Sequence, residues 1–114
     1  MNLRIDLNEP RILQKVTSNK FGLATSNEWK LLIDPYTPRD TGVLMGITGQ
    51  MVDLKPFEIH YKSKYAEHLY NGKHMKFQKE NPFSTFEWDK AAEKAGKKDE
   101  LYRTLNELLR SGRI

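Results

Sequence analysis

Glu58 and His60 stand two residues apart, and Asp89 and Glu93 four apart; of the carboxylate-containing pairs, these have the spacing to support proton transfer. Two residues along a strand put both side chains on one face, and four along a helix put them one turn apart. Acid–base work also needs a recess in which burial separates two pKa values, and neither pair has an apolar surround in the sequence that would supply one. His60, His68 and His74 fall close together, and three imidazoles could hold zinc or manganese. Their spacing fits neither a metalloprotease helix nor a zinc finger, so they read as surface histidines. Cysteine is absent, which removes disulfides, thiolate metal sites and thiol nucleophiles. Pro38-Arg39-Asp40-Thr41-Gly42 lacks the glycines and the Lys-Ser/Thr ending of a phosphate loop. The expectation is a protein without catalytic residues, metal or cofactor.

A second kind of chemistry is electrostatic. Lysines 62, 64, 73, 76 and 79 are interleaved with Tyr65, Tyr70 and Phe77, against Glu67 and Glu80. Cationic and aromatic side chains combine in this way in grooves that track a nucleic-acid backbone. Arginine, whose fork reads bases and phosphates best, is missing from that window, and no known nucleic-acid motif occurs. A nonspecific DNA-binding module is therefore the alternative reading; solvated surface or a protein-facing rim is the favoured one.

The elements that carry these residues must come from a short chain. At 114 residues it reads as a single domain spanning 1–114, and its 38% hydrophobic and 30% charged residues suit a folded core. The formal net charge of +4 is a mild bias, ordinary for a soluble protein. Charges run through the first twenty residues and no long apolar window occurs, so neither a cleaved leader nor a membrane span is expected.

Leu3, Ile5 and Leu7 alternate with polar residues, the pattern of a short edge strand. Leu13, Val16, Lys20, Ala24 and the run from Trp29 to Ile33 share one broad helical stripe, with Lys20 snorkelling. Gly22 weakens the middle of that stretch, and Thr25-Ser26-Asn27-Glu28 offers a capping box. The chain thus permits one helix over about 10–33 or two broken near 22–25, and the single helix is favoured. Phe57, Ile59 and Tyr61 alternate as a strand, Leu54-Lys55-Pro56 reads as the turn before it, and a strand around 47–52 would complete a hairpin. Tyr65 to Tyr70 fits one helical turn, stopped at Asn71-Gly72. Ser84-Thr85-Phe86-Glu87 reads as the cap of a helix carrying Trp88, which Gly96 interrupts. A second helix opens at Asp99 and carries the stripe Leu101, Leu105, Leu108, Leu109 until Ser111-Gly112. The fold class expected is α+β: a long N-terminal helix packed on a small antiparallel β-sheet, with C-terminal helices. Its packing anchors are Trp29, Phe57, Ile59, Tyr61, Tyr65 and Trp88.

Between helix and hairpin, residues 34–49 hold Pro35, Pro38, Gly42, Gly46 and Gly49. Connections of that length are uncommon in small domains and are often where binding resides. Within it, Pro35, Tyr36, Pro38, Asp40, Thr41, Gly42 and Leu44 form the most specified stretch of the chain.

That stretch, followed in order by Ile59 and Tyr61, by Tyr65, Ala66, Tyr70 and Gly72, and by Asn81, Pro82, Trp88, Ala91 and Ala92, resembles the small minor capsid proteins of tailed bacteriophages, related to the neck or tail-completion proteins of siphophages. The resemblance runs over roughly residues 1–110. It implies a non-enzymatic virion protein in a homo-oligomeric ring, expected to be hexameric, placed in the neck between head and tail and present in the host cytoplasm during assembly. Implied partners are a head-side connector or stopper protein, a tail terminator or tail tube protein, and DNA passing transiently through the channel. Met45-Gly46 and the lysine-rich segment 73–80 depart from the family's pattern, which leaves the tier within the neck open.

Overall fold

The computed structural model describes residues 2–7, 11–12, 18–36, 52–62, 67, 70–71 and 87–114. Strands β1 (Asn2–Arg4), β2 (Val52–Lys55) and β3 (Glu58–Tyr61) form an antiparallel sheet in the order β1-β3-β2. Leu3 stands opposite Ile59, and Ile59 opposite Leu54; Val52 stands opposite Tyr61. Opposed residues share a face, so these apolar side chains point inward together. The other face carries the rows Asn2, His60, Asp53 and Arg4, Glu58, Lys55. The period-two pattern in the sequence is thus realised as a sheet with one dry side and one charged side.

The hairpin turns later than Leu54-Lys55-Pro56. β2 runs through Lys55, and the turn is Pro56-Phe57. Phe57 is therefore a turn residue rather than the first residue of the strand, at φ 60. Proline followed by a positive φ is the arrangement of a type II turn, which glycine normally serves.

Helix α1 spans Asn19–Ile33. It does not extend back to residue 10: Ser18 is extended, at φ -68 and ψ 153, and its hydroxyl accepts the Phe21 amide. Satisfying that orphan donor makes serine a strong helix start. Leu13 and Val16 lie outside the described residues. The buried stripe is Phe21, Gly22, Thr25, Ser26, Trp29 and Ile33, while Lys20 is exposed rather than snorkelling. Thr25-Ser26-Asn27-Glu28 lies mid-helix and caps nothing; Thr25 and Ser26 are buried, and the Thr25 hydroxyl donates to the Phe21 carbonyl. A 3-10 turn, Asp34–Tyr36, closes the helix, and Lys30 pairs with Asp34 at 2.8 Å.

Helix α2 (Trp88–Lys94) begins after Glu87, which is left-handed at φ 44 and makes no side-chain cap. The Ser84–Glu87 capping box is therefore not the start of this helix, since Glu87 itself holds the cap position. Gly96, at φ 82, separates α2 from α3 (Lys97–Arg110). The last helix opens before Asp99, placing Asp99 and Glu100 in its first turn, where negative charge suits the helix dipole. It buries Leu101, Tyr102, Leu105 and Leu109, and closes as Arg113 donates to the Leu108 carbonyl past Gly112, φ 74. One core joins the sheet's inner face, α1, α2 and α3. The fold is α+β, with α1 on a three-stranded antiparallel sheet and helices at the C-terminal end.

Candidate functional site

Trp88 is completely buried, and the side chains around it arrive from distant parts of the chain. Tyr61 comes from the end of β3, where alternation points it inward; its hydroxyl accepts the Trp88 indole N–H at 3.2 Å, with the rings 5.6 Å apart and edge-to-face. Tyr70, a helical residue like Glu67, also meets the indole, at 5.0 Å and again edge-to-face. Edge-to-face geometry sets the positive ring edge against the negative face, which adds to the burial of area. The Tyr70 hydroxyl donates to Asp89 at 2.6 Å, and its carbonyl accepts the Glu87 amide at 2.9 Å. Burial first, and then the hydrogen bond to Asp89 with the charges of Asp89, Glu87 and Glu93, raises the Tyr70 phenol well above its ordinary value of 10.0. The 3-10 turn bearing Pro35 and Tyr36 packs on α2, and Tyr36 rests against the core.

The structure thus brings Tyr61, Tyr70 and Trp88 into one aromatic joint, with the buried Ala92 and the partly buried Tyr36 in the same core. Ile59 and Trp29 are buried in the adjoining core, and Phe57 stacks obliquely on Phe21 at 5.9 Å. Pro38, Asp40, Thr41, Gly42, Leu44 and Tyr65 lie outside the described residues, as do His68 and His74. Segment 37–51 also lies outside the described residues; it follows Tyr36 and precedes β2 in the sequence.

The pairs with acid–base spacing are engaged elsewhere. His60 contacts Glu58 at 2.9 Å on the charged face of the sheet, where both side chains are partly exposed. Asp89 holds Tyr70, and Glu93 accepts from Lys98 at 3.2 Å. Among the described residues no cluster of His, Asp or Glu could hold a metal, and no helix is long and apolar enough to cross a membrane.

Two connections were missed in the sequence. Lys98 donates to the Asp6 carbonyl at 3.0 Å with its ammonium 5.1 Å from the centre of the Trp29 ring. Arg11 pairs with Asp99 at 2.7 Å, stacks over Tyr102 at 4.2 Å, and gives its carbonyl to the Asn106 amide. Together they fasten the N-terminal arm to α3, and single charged residues in a chain rich in them give no signal for it. The other is Gly22 with Ser26, small residues four apart on the helix face that meets the hairpin turn, where the sequence alone marks Gly22 as a weak point. The Ser26 hydroxyl donates to the Lys55 carbonyl and accepts the Glu58 amide, bridging the two ends of the hairpin turn. Compared with protein-family models, curated proteins and solved structures, the chain matches none.

Proposed function

We propose that this chain is a structural protein of the neck of a tailed bacteriophage, one copy in the ring that joins the DNA-filled head to the tail. The observation that carries the reading is the aromatic joint. Tyr36, Tyr61, Tyr70, Trp88 and Ala92 are spread along the sequence, belong to the resemblance to minor capsid and tail-completion proteins, and fall in one packed unit. A joint of this kind supports a reading as a rigid body: it draws side chains from separate parts of the chain into one packed core, which a ring component needs if it is to meet its neighbours in a fixed geometry. On this reading Asp40, Thr41, Gly42 and Leu44, the most specified residues of the sequence, contribute to contacts with adjacent subunits and with the head-side and tail-side proteins.

Particles made without the protein should accumulate as DNA-filled heads and separate tails, and purified protein added back should restore joining. Normal numbers of tailed, infectious particles in its absence would overturn the reading.

A further inference from the structure

The sheet ends in two different edges, β1 on one side and β2 on the other, and among the described residues no strand covers either. Their backbone groups can be assigned. Ile5 donates to the Phe57 carbonyl at 2.8 Å, so Leu3 and Ile5 face β3, and the alternating residues Asn2, Arg4 and Asp6 turn theirs to the open edge. Lys98 at the Asp6 carbonyl agrees with that direction. On β3, Ile59 faces β1 and His60 faces β2, so Asp53 and Lys55 are engaged in the ladder, while Val52 and Leu54 turn their backbone groups to the other side, where no described strand pairs with them.

We propose that copies of this chain associate head to tail, the β1 edge of one copy adding in parallel to the β2 edge of the next, with Leu54 opposite Ile5 of the neighbour. β1 and β2 are parallel to each other within one sheet, each being antiparallel to β3, so copies related by simple rotation offer these edges in parallel. In this register Val52 and Leu54 exchange backbone bonds with Asn2, Arg4 and Asp6 of the next copy, and the apolar residues stay on the dry face. On the charged face Asp53 falls beside the neighbour's Arg4, and Lys55 beside its Asp6. The charges run positive then negative along β1 and negative then positive along β2, so both cross-strand pairs are attractive. Among the described residues of one copy, these charges form exposed pairs along their own strand, Arg4 with Asp6 at 3.4 Å and Asp53 with Lys55 at 3.3 Å.

One further match sets the end of the ladder. The next donor along β2 would be the amide of residue 56, and Pro56 has none. The acceptor it would have met is the Asp6 carbonyl, which Lys98 already serves. Antiparallel pairing of two β2 edges about Leu54 lacks this match, because Val52 would then meet Pro56 of its partner. Two unlike edges give a heterologous contact, which propagates until rotation closes it; closure into a ring rests on the neck reading above.

Cysteine-free, the chain suits a crosslinking test. Arg4 and Asp53 are separated by β3 within one copy, about 9 to 10 Å across two strand spacings, beyond the reach of a disulfide. Mild oxidation of the full-length double variant Arg4→Cys/Asp53→Cys should therefore give a ladder of covalent multimers extending past the dimer, and either single variant should stay monomeric. A double variant that stays monomeric, or that stops at dimers, would overturn the proposal. Arg4→Pro removes only an outward-facing amide and should abolish multimers in sedimentation without changing the melting temperature. Arg4→Asp should also lose them, and Arg4→Asp/Asp53→Arg should regain them; no regain would count against the charge pairing. Multimers together with normal head–tail joining by Arg4→Pro would sink the neck reading and leave this interface standing. Absence of multimers with joining still dependent on the protein would do the reverse.

Discussion

Gly22 receives Phe57: the Phe57 amide donates to the Gly22 carbonyl at 3.1 Å, and the Phe57 ring carbon Cε2 lies 2.9 Å from where a β-carbon on Gly22 would stand. The same β-carbon would come within 2.7 Å of the Pro56 β-carbon and 2.9 Å of its α-carbon. Helix α1 can therefore approach the hairpin turn only because residue 22 has no side chain, and a positive φ at Phe57 is held in place by a helix that is itself shaped around it.

Gly22→Ala should accordingly destabilise the protein. In an exposed helix this change gains about 1 kcal/mol. Overpacking against backbone costs about 1 to 3 kcal/mol, and because Pro56 cannot swing aside the cost should win. Urea melts check the sign; a variant as stable as the parent would mean that turn and helix can separate freely.

Ser26→Ala removes the hydroxyl that joins the Lys55 carbonyl to the Glu58 amide, and should cost about 1 to 3 kcal/mol by leaving both without their partner. Slowed hydrogen exchange at Glu58 should be lost in the same variant. Unchanged protection at that amide would mean the turn closes on itself.

Trp88 and Tyr61 should show coupled losses. Tyr61→Phe strips the indole N–H of its acceptor inside the core, at about 1 to 3 kcal/mol. Trp88→Phe loses the donor and opens space, and the double variant should cost less than the sum, with a coupling of about 1 kcal/mol. Strict additivity in a double-mutant cycle would show that the 3.2 Å contact contributes nothing specific.

The Tyr70 phenol predicts an alkaline weakness. Its folded pKa is raised above the unfolded value of 10.0, so the neutral hydroxyl stabilises the fold fully below pH 10.0, and that contribution drains away as pH climbs toward the folded pKa. Stability should fall more steeply above pH 10.0 in the parent than in Tyr70→Phe. Parallel slopes in melts across that range would remove the Asp89 hydrogen bond from the account.

Binding to duplex DNA should be weak. With a formal charge of only +4, the full chain should bind at about 10⁻⁴ to 10⁻⁶ M at physiological salt and release as salt rises. Tight, sequence-selective binding under those conditions would promote the DNA-binding alternative over the neck reading.

The sheet and the last helix were legible because their signals are local. Leu3 with Ile5 and Ile59 with Tyr61 alternate over a few residues, and Leu101, Leu105 and Leu109 repeat on one helical face, so each pattern reports its own burial. α1 was misread at its start because Leu13 and Val16 continue an apolar period that the backbone abandons at Ser18, and a cap overrides periodicity there. Gly22 read as a weakness for the same reason: its value depends on Pro56 and Phe57, which are distant in sequence and which no helical pattern mentions. The positive φ at Phe57 and at Glu87 fell outside any residue-type rule, since neither is a residue that favours that region. The aromatic joint was legible as single anchors, Tyr61 and Trp88, while Tyr70 entered only as a letter in a motif.

The N-terminal arm is pinned by residues made long after it. The Asp6 carbonyl waits for Lys98, 92 positions downstream, and the Arg11 carbonyl for Asn106, 95 positions downstream. During synthesis, β1 lacks its ladder partner β3 until about half of the chain has left the ribosome and lacks this fastening until nearly all of it has, and contacts of such sequence separation form late in folding. On the association proposed above, the β1 edge is therefore completed only near the end of synthesis, when its own copy is nearly whole.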